Sequence, residues 1–266
     1  MTPGLAVIRS LLIPDATFRE GKVYHAPRVV VLGLILFAAL LAGTLSASFH
    51  ANEVGRELLL QRELSRLDRL MISAPPEAQR QAAENVRRQL TRGSGIASLV
   101  GAAVGAVVQW LILFYEMWLL VLLLIQFAGG EERELLGKRH LRSQYLILMA
   151  MVPLILAEVI RAALLLSTSP DVYANAATFE DYQAAARVSL NLVEAAGVSL
   201  TERSPFTAFV VAKATSPFVW WAGYVFVAGA EEVFHLRARR ATVVAVVVLL
   251  LMALQHTAIQ AAGNLL

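Results

Sequence analysis

Five ionisable side chains stand inside long apolar stretches of the chain: Glu116, Glu158, Arg161, Lys213 and His256. A charge placed in hydrocarbon costs roughly 2.5–3.5 kcal/mol on insertion scales, so each is a candidate for ion or proton handling, or for a polar clamp between helices. Glu158 and Arg161 are three residues apart, hence on one helix face, and can neutralise each other without any substrate. Arg161 and Lys213 also fall near the ends of their stretches, where long cationic chains reach back to water. Glu116 has no cation within four residues on its own helix. It needs a partner on another helix, water, or a proton. A clamp to Arg161 or Lys213 is favoured over a proton relay.

Other chemistry finds little footing. Gln255, His256 and Gln260 place amide and imidazole groups late in the last stretch, and the nearest other histidine is His235. A metal site needs three or four converging ligands, and no HExxH or Glu-x-x-His spacing occurs. There is no cysteine, which removes thiolate nucleophiles, iron–sulfur clusters and disulfides together. The pairs Glu131-Glu132 and Glu231-Glu232 lie beside arginines, as a solvated charged rim does, and paired carboxylates alone do not make an acid/base site. No Walker A loop, dinucleotide fingerprint, GxSxG elbow or kinase set is present. No enzyme activity, metal or cofactor is expected.

The elements that must position these residues are membrane spans. A helix needs about 20 mainly apolar residues to cross hydrocarbon, and five stretches qualify: 27–48, 96–127, 144–167, 206–230 and 241–263. The composition agrees, with 58% apolar and 16% charged residues and a mean hydropathy of +0.62, outside the soluble range. The fold class expected is an all-α polytopic helix bundle. Stretch 96–127 has 32 residues, more than a perpendicular crossing requires, which implies tilt, protrusion or a re-entrant pair. Pro153 and Pro217 should kink their spans without breaking them. Gly101-Ala-Ala-Val-Gly105, with Ala97 a turn earlier, would let another helix approach closely.

Orientation follows from Lys and Arg in the short loops. The N-terminal segment has four, loop 128–143 four and loop 231–240 three, placing these on the cytoplasmic side and the C-terminus outside. Segment 49–95 has eight arginines, but they are mixed with six acids and read as pairing on helix surfaces. The charges at Arg9, Asp15, Arg19, Glu20 and Lys22 precede the first apolar run, so no cleaved signal peptide is expected. The charges are too dispersed for nucleic acid.

Two segments outside the spans have helical patterns of their own. Val54, Leu60, Leu64, Leu67 and Leu70 or Met71 recur at helical spacing, the run stops at Ala74-Pro75-Pro76, and a polar helix from about Glu77 to Thr91 returns. An extracytoplasmic helical hairpin over 49–95 is the product. In 168–205, Phe179, Tyr182, Ala186, Leu190 and Val193 line one face of a predicted helix ending near Gly197. At the N-terminus, Leu5, Ile8, Leu11 and Leu12 share a face suited to the membrane interface.

Three stretches carry a resemblance. They are Ile13-Pro-Asp-Ala-Thr-Phe18, then Phe127-Ala-Gly-Gly-Glu131 leading to Tyr145 and Pro153, and Ser216-Pro-Phe-Val-Trp-Trp221 followed by Gly229. Together they resemble the Yip-domain (Rab-GTPase-interacting) membrane proteins, in particular the compact bacterial members. The likeness runs from about residue 10 to 262, interrupted by 49–95. It implies five spans with the N-terminus inside. Eukaryotic members are vesicle and Golgi proteins that contact small GTPases through a cytoplasmic region longer than the 26 residues preceding span one here. The family pattern carries no catalytic residues.

The function expected is that of a non-enzymatic adapter, assembly factor or accessory subunit of a membrane transport or trafficking system. Its partners would be membrane lipids and other membrane proteins, a second copy of the chain among them. Its candidate partner surface comprises Leu60, Leu64 and Leu67 of the hairpin, with Arg133, Arg139 and Arg237 on the cytoplasmic rims. The alternative is a small transporter or channel with Glu116, Glu158, Arg161 and Lys213 around a midplane cavity, which predicts a wet cavity touching Glu116. No convincing inverted repeat supports it. The wealth of Ala, Val, Leu and Arg with few Lys points to a bacterial cytoplasmic membrane.

Overall fold

The computed structural model describes residues 2–20, 27–50, 52–72, 75–92, 96–127, 136–185, 188–198, 200 and 204–265. Among these the chain is all helix, with no strand. In chain order the helices are α1 (Pro3–Leu12), α2 (Pro14–Arg19), α3 (Arg28–His50), α4 (Glu53–Leu70) and α5 (Pro76–Arg92). There follow α6 (Ile96–Phe127), α7 (Leu136–Leu166), α8 (Pro170–Tyr173), α9 (Phe179–Ala185) and α10 (Leu192–Ala195). The last three are α11 (Pro205–Ala214), α12 (Pro217–Phe234) and α13 (Ala238–Leu265).

Three segments among the described residues are long and apolar enough to cross a membrane: Arg28–Phe49, Leu99–Leu124 and Arg142–Leu166. Their coverage by protein differs, from 11% of the most apolar part of α6 to 56% of that of α7. An apolar helix as bare as α6 belongs in lipid, because water would not tolerate Val104, Ile112, Leu119 and Leu123 all more than half exposed. The stretch 96–127 is one continuous helix, not a re-entrant pair. The chain is thus an α-helical membrane protein.

The two prolines behave differently. Helix α7 runs unbroken through Pro153, which gives up one backbone bond and is buried, as are Met149, Met151 and Ile155 around it in the sequence. At Pro217 the expected kink is a break. Helix α11 ends at Ala214, Ser216 takes an extended conformation (φ −85°, ψ 121°), and Pro217 begins α12. A residue preceding proline is pushed out of the helical region by the ring. Thr215 completes the stop by turning its hydroxyl onto the Val211 carbonyl at 2.8 Å.

The helix expected in segment 168–205, with Phe179 to Val193 on one face and its end near Gly197, is likewise replaced, by the separate short helices α8, α9 and α10. Asn191 is extended and its side-chain oxygen accepts from the Glu194 amide at 2.9 Å, while its amide donates to Ser189 Oγ at 2.8 Å. Such local bonds offer the backbone an alternative to helix, so Leu190 and Val193 do not continue the face of Phe179 and Tyr182. Ala186 lies outside the described residues. Helix α10 stops at Gly197, whose φ of 81° favours glycine.

The chain divides into two compact units. One comprises residues 1–38, 109–157 and 189–266. In it α2 packs on α1 and α12, and α13 packs on α11 and α12, around Ile35, Leu146, Ile147 and Val225, each at most 1% exposed.

The other unit comprises 39–108 and 158–188. Here α4 and α5 pack against each other, and the start of α4 meets an aromatic cluster of Phe49, Tyr173, Phe179 and Tyr182 with Leu58 and Leu165. In the same unit Gly43 lies so close to α6 that a Cβ there would stand 2.7 Å from the Ala106 Cβ. The expected GxxxG run is not what makes this approach. Gly101 and Gly105 face open space, and the neighbouring alanines Ala102, Ala103 and Ala106 meet Gly43 instead.

Candidate functional site

Of the five ionisable residues in the long apolar stretches, Glu158 and Arg161 pair with each other. One guanidinium nitrogen lies 2.7 Å from both carboxylate oxygens, as the three-residue spacing allows. Lys213 rests its ammonium over the Phe209 ring at 5.4 Å, an attraction to the ring's negative face. Glu116 is half-buried on α6, and no hydrogen bond or ion pair joins it to another of the described residues. His256 lies on α13, and its side chain is outside the described residues. Among the described residues no group of three or more His, Asp or Glu is arranged to hold a metal ion.

A cavity of about 350 Å³ lies among α6, α7, α11, α12 and α13. Its walls include Val121, Leu154, Phe226, Leu249 and Met252, and Lys213 is the one charged side chain in its described lining. Glu116 does not line it.

A second constellation gathers the residues of the recognised motifs. Phe18 on α2 is 4% exposed and packs on Gly229 of α12 beside Leu146 of α7: a Cβ at Gly229 would meet Leu146 and stand 3.0 Å from the Phe18 ring. The Trp221 indole donates to the Leu11 carbonyl at 2.9 Å, and Arg19 bridges to Glu232 at 3.0 Å. The Thr17 hydroxyl donates to the Ile13 carbonyl at 2.8 Å. Arg28 bonds Gln144 and covers the Tyr145 ring at 5.9 Å, and Trp118 donates to Ser143 at 2.9 Å. The N-terminal helix pair is therefore fastened to α12 through both apolar and polar contacts. On its other side α1 leaves Leu5, Ile8 and Leu12 more than half exposed.

Of the hairpin residues, Leu60, Leu64 and Leu67 are half-buried along α4, and Ala78, Ala82 and Val86 are half-buried at four-residue spacing on α5. Among the described residues of this segment the exposed large apolar side chains are Leu70 (66%) and Ile72 (79%), at the end of α4 and just beyond it. The helical spacing included Leu70 but gave no reason to single out the tip, because it cannot show where a second helix stops covering the first. Arg237 is exposed, with Arg239 and Arg240 beside it. Arg133 lies outside the described residues, and Arg139 is on α7 with its side chain outside them.

The Yip1 domain model matches residues 8–259 of this sequence. No curated protein and no solved structure matches it.

Proposed function

Because the chain belongs to the Yip1-domain family of membrane proteins, a family linked to trafficking and not known as enzymatic, we propose that it is a non-enzymatic adapter, assembly factor or accessory subunit of a membrane transport or trafficking system. The observation that carries this reading is the α4–α5 hairpin, which ends in an exposed apolar tip at Leu70 and Ile72. Large apolar side chains held out on a polar hairpin mark a contact surface. Its occupant is another membrane protein.

The topology that goes with this reading has five spans: α3, α6, α7, the α11–α12 pair and α13. The loop charges favour a cytoplasmic N-terminus with the hairpin and the C-terminus outside, and the composition, rich in Ala, Val, Leu and Arg with few Lys, favours a bacterial cytoplasmic membrane. The exposed arginines 237, 239 and 240 then lie on the cytoplasmic rim.

The transporter reading draws less support. Glu158 and Arg161 satisfy each other, and the cavity is apolar and is not lined by Glu116. The test of the adapter reading is a crosslink-coupled pull-down from intact membranes, comparing the wild type with a Leu70→Ser, Ile72→Ser variant. Removing 52–92 as a block would strip Asn52, Gly55 and Leu58 from the aromatic cluster, so point changes at the tip are the cleaner probe. A partner lost with the tip supports the reading; the same partners with both chains contradict it.

A further inference from the structure

We infer that α1 is an anchor in the bilayer interface: Leu5, Ile8, Leu12 and Ile13 lie among the acyl chains of one leaflet, while α2 turns its charged side to headgroups and water. The inference needs α7 to cross the membrane, but neither the adapter role nor a count of five spans.

The two helices divide apolar from polar. Leu5, Ile8, Leu12 and Ile13 are 53–66% exposed, whereas the exposed residues of α2 and its C-cap are Asp15, Arg19 and Glu20. Behind this outer surface the pair is closed, with Ala6, Ser10 and Thr17 fully buried. The hydroxyls of Ser10 and Thr17 donate to the Ala6 and Ile13 carbonyls, each at 2.8 Å, so they ask nothing of water. The one charge on α1, Arg9, bridges to Glu20 at 3.4 Å.

The contacts of the pair set its depth. The α7 span begins at Arg142, and its first turn carries the marks of a membrane border: Trp118 bonds Ser143, and Arg28 bonds Gln144 and covers Tyr145. Tryptophan and tyrosine gather at that level of a bilayer. Phe18 and Leu146 both pack at Gly229, and Leu146 is four residues past Arg142, about 6 Å inside the span. An interfacial helix buries its apolar face ~5–10 Å deep.

The charged end of the pair faces outward. The α6–α13 cavity is lined by residues before Gly229 on α12, Val219 to Val227, and by residues after Leu146 on α7, Ala150 and Leu154, so the two helices run antiparallel. Glu232, which holds Arg19 at 3.0 Å, is therefore level with the start of the α7 span, and Trp221, which bonds Leu11, lies deeper. Lipid is the occupant because the same border is already lipid-facing on α3. That span starts with Arg28 on Gln144 and leaves Val29 (81%) and Leu34 (53%) exposed. The first 20 residues are thus held between bilayer and α12, out of reach of a soluble partner.

The chain has no cysteine, so single cysteines carry nitroxide labels without competition. The test uses the full chain in phosphatidylcholine liposomes, with collisions of each label measured against oxygen, which dissolves in hydrocarbon, and a water-soluble nickel chelate. The oxygen-to-nickel ratio should be roughly ten-fold higher for Leu5→Cys, Ile8→Cys and Leu12→Cys than for Asp15→Cys, since the polar chelate is excluded from hydrocarbon. Nickel collisions as frequent at the three apolar positions as at Asp15 would put α1 in water and overturn the inference. Exclusion of both probes would mean a protein cover, a second copy of the chain, and would overturn it equally.

If a label disturbs folding, the wild type decides. A phospholipid carrying a diazirine in its acyl chain is photolysed in the same liposomes, and its adducts are mapped by peptide mass spectrometry. Adducts on residues 5–13 alongside those on the bare face of α6 at Ile112 and Leu119 support the anchor. Adducts on α6 without any on residues 5–13 overturn it.

Discussion

The side-chain amide of Asn52 donates a 2.8 Å hydrogen bond to the phenol of Tyr182, joining the start of α4 to a segment 130 residues later. The same Asn52 caps α4 by accepting from the Gly55 amide at 2.7 Å. Tyr182 is fully buried, stacked between Phe49 and Phe179 and edge-on to Tyr173. One asparagine therefore serves both the helix end and the aromatic cluster. Asn52→Ala should lose the cap, about 1 kcal/mol, and leave the phenol without this donor, about 1 kcal/mol more. Tyr182→Phe should cost only the hydrogen bond. Gly55→Ala should destabilise despite alanine's better helix propensity, because its Cβ would lie 2.9 Å from the Tyr182 ring. Thermal unfolding in detergent ranks the three, and an Asn52→Ala variant as stable as wild type would show that the link carries nothing.

The same residue sets an alkaline limit. Burial pushes the Tyr182 phenol above its ordinary value, opposed by the Asn52 hydrogen bond and aided by Tyr173. A folded-state pKa raised above the unfolded one adds stability that is complete below about pH 10, the free tyrosine value, and lost as pH rises through the folded pKa. Stability of the wild type should therefore fall above about pH 10, and the fall should be smaller in Tyr182→Phe. Denaturation midpoints at pH 8 to 11 measure it; parallel curves for the two proteins would refute the burial account.

Helix approach in the other glycine region should follow the geometry and not the motif. Gly43→Leu places its side chain into Ala106 and the Ala102 carbonyl and should destabilise by about 1–3 kcal/mol, the usual effect of overpacking. Gly101→Leu points into open space and should leave the purified protein's melting point unchanged. Equal losses in the two would mean that the Gly101 face is packed.

The docking of the N-terminal pair on α12 should depend on Gly229. Gly229→Val drives a side chain into Phe18 and Leu146 and should expose the first 20 residues to limited proteolysis at least ten-fold faster. Phe18→Ala should do the same through lost burial, about 3–5 kcal/mol for a large aromatic. Unchanged cleavage in both would contradict the packing.

The sequence made the helical membrane character and the Yip1 likeness legible, because apolar runs of span length and the short motifs around Phe18, Pro153 and Trp221 are local signals. The Glu158–Arg161 pair was legible for the same reason: three residues on a helix fix the geometry. What was not legible depended on contacts between distant residues or on side chains competing for the backbone. The α11–α12 break follows from Pro217 acting with the Thr215 hydroxyl, and the α9–α10 break from Asn191 capping the next turn; periodicity registers neither. The cavity around Lys213 arises from five helices meeting, so no spacing in one of them announces it.

The most direct test of the adapter reading is site-specific photocrosslinking in intact membranes from position 72, with position 77 on the neighbouring polar turn as the control. The account predicts a discrete crosslinked membrane protein from position 72, absent or weak from position 77 and abolished by Leu70→Ser in the same chain. Crosslinks to lipid alone from position 72, or the same protein captured equally from both positions, would contradict it.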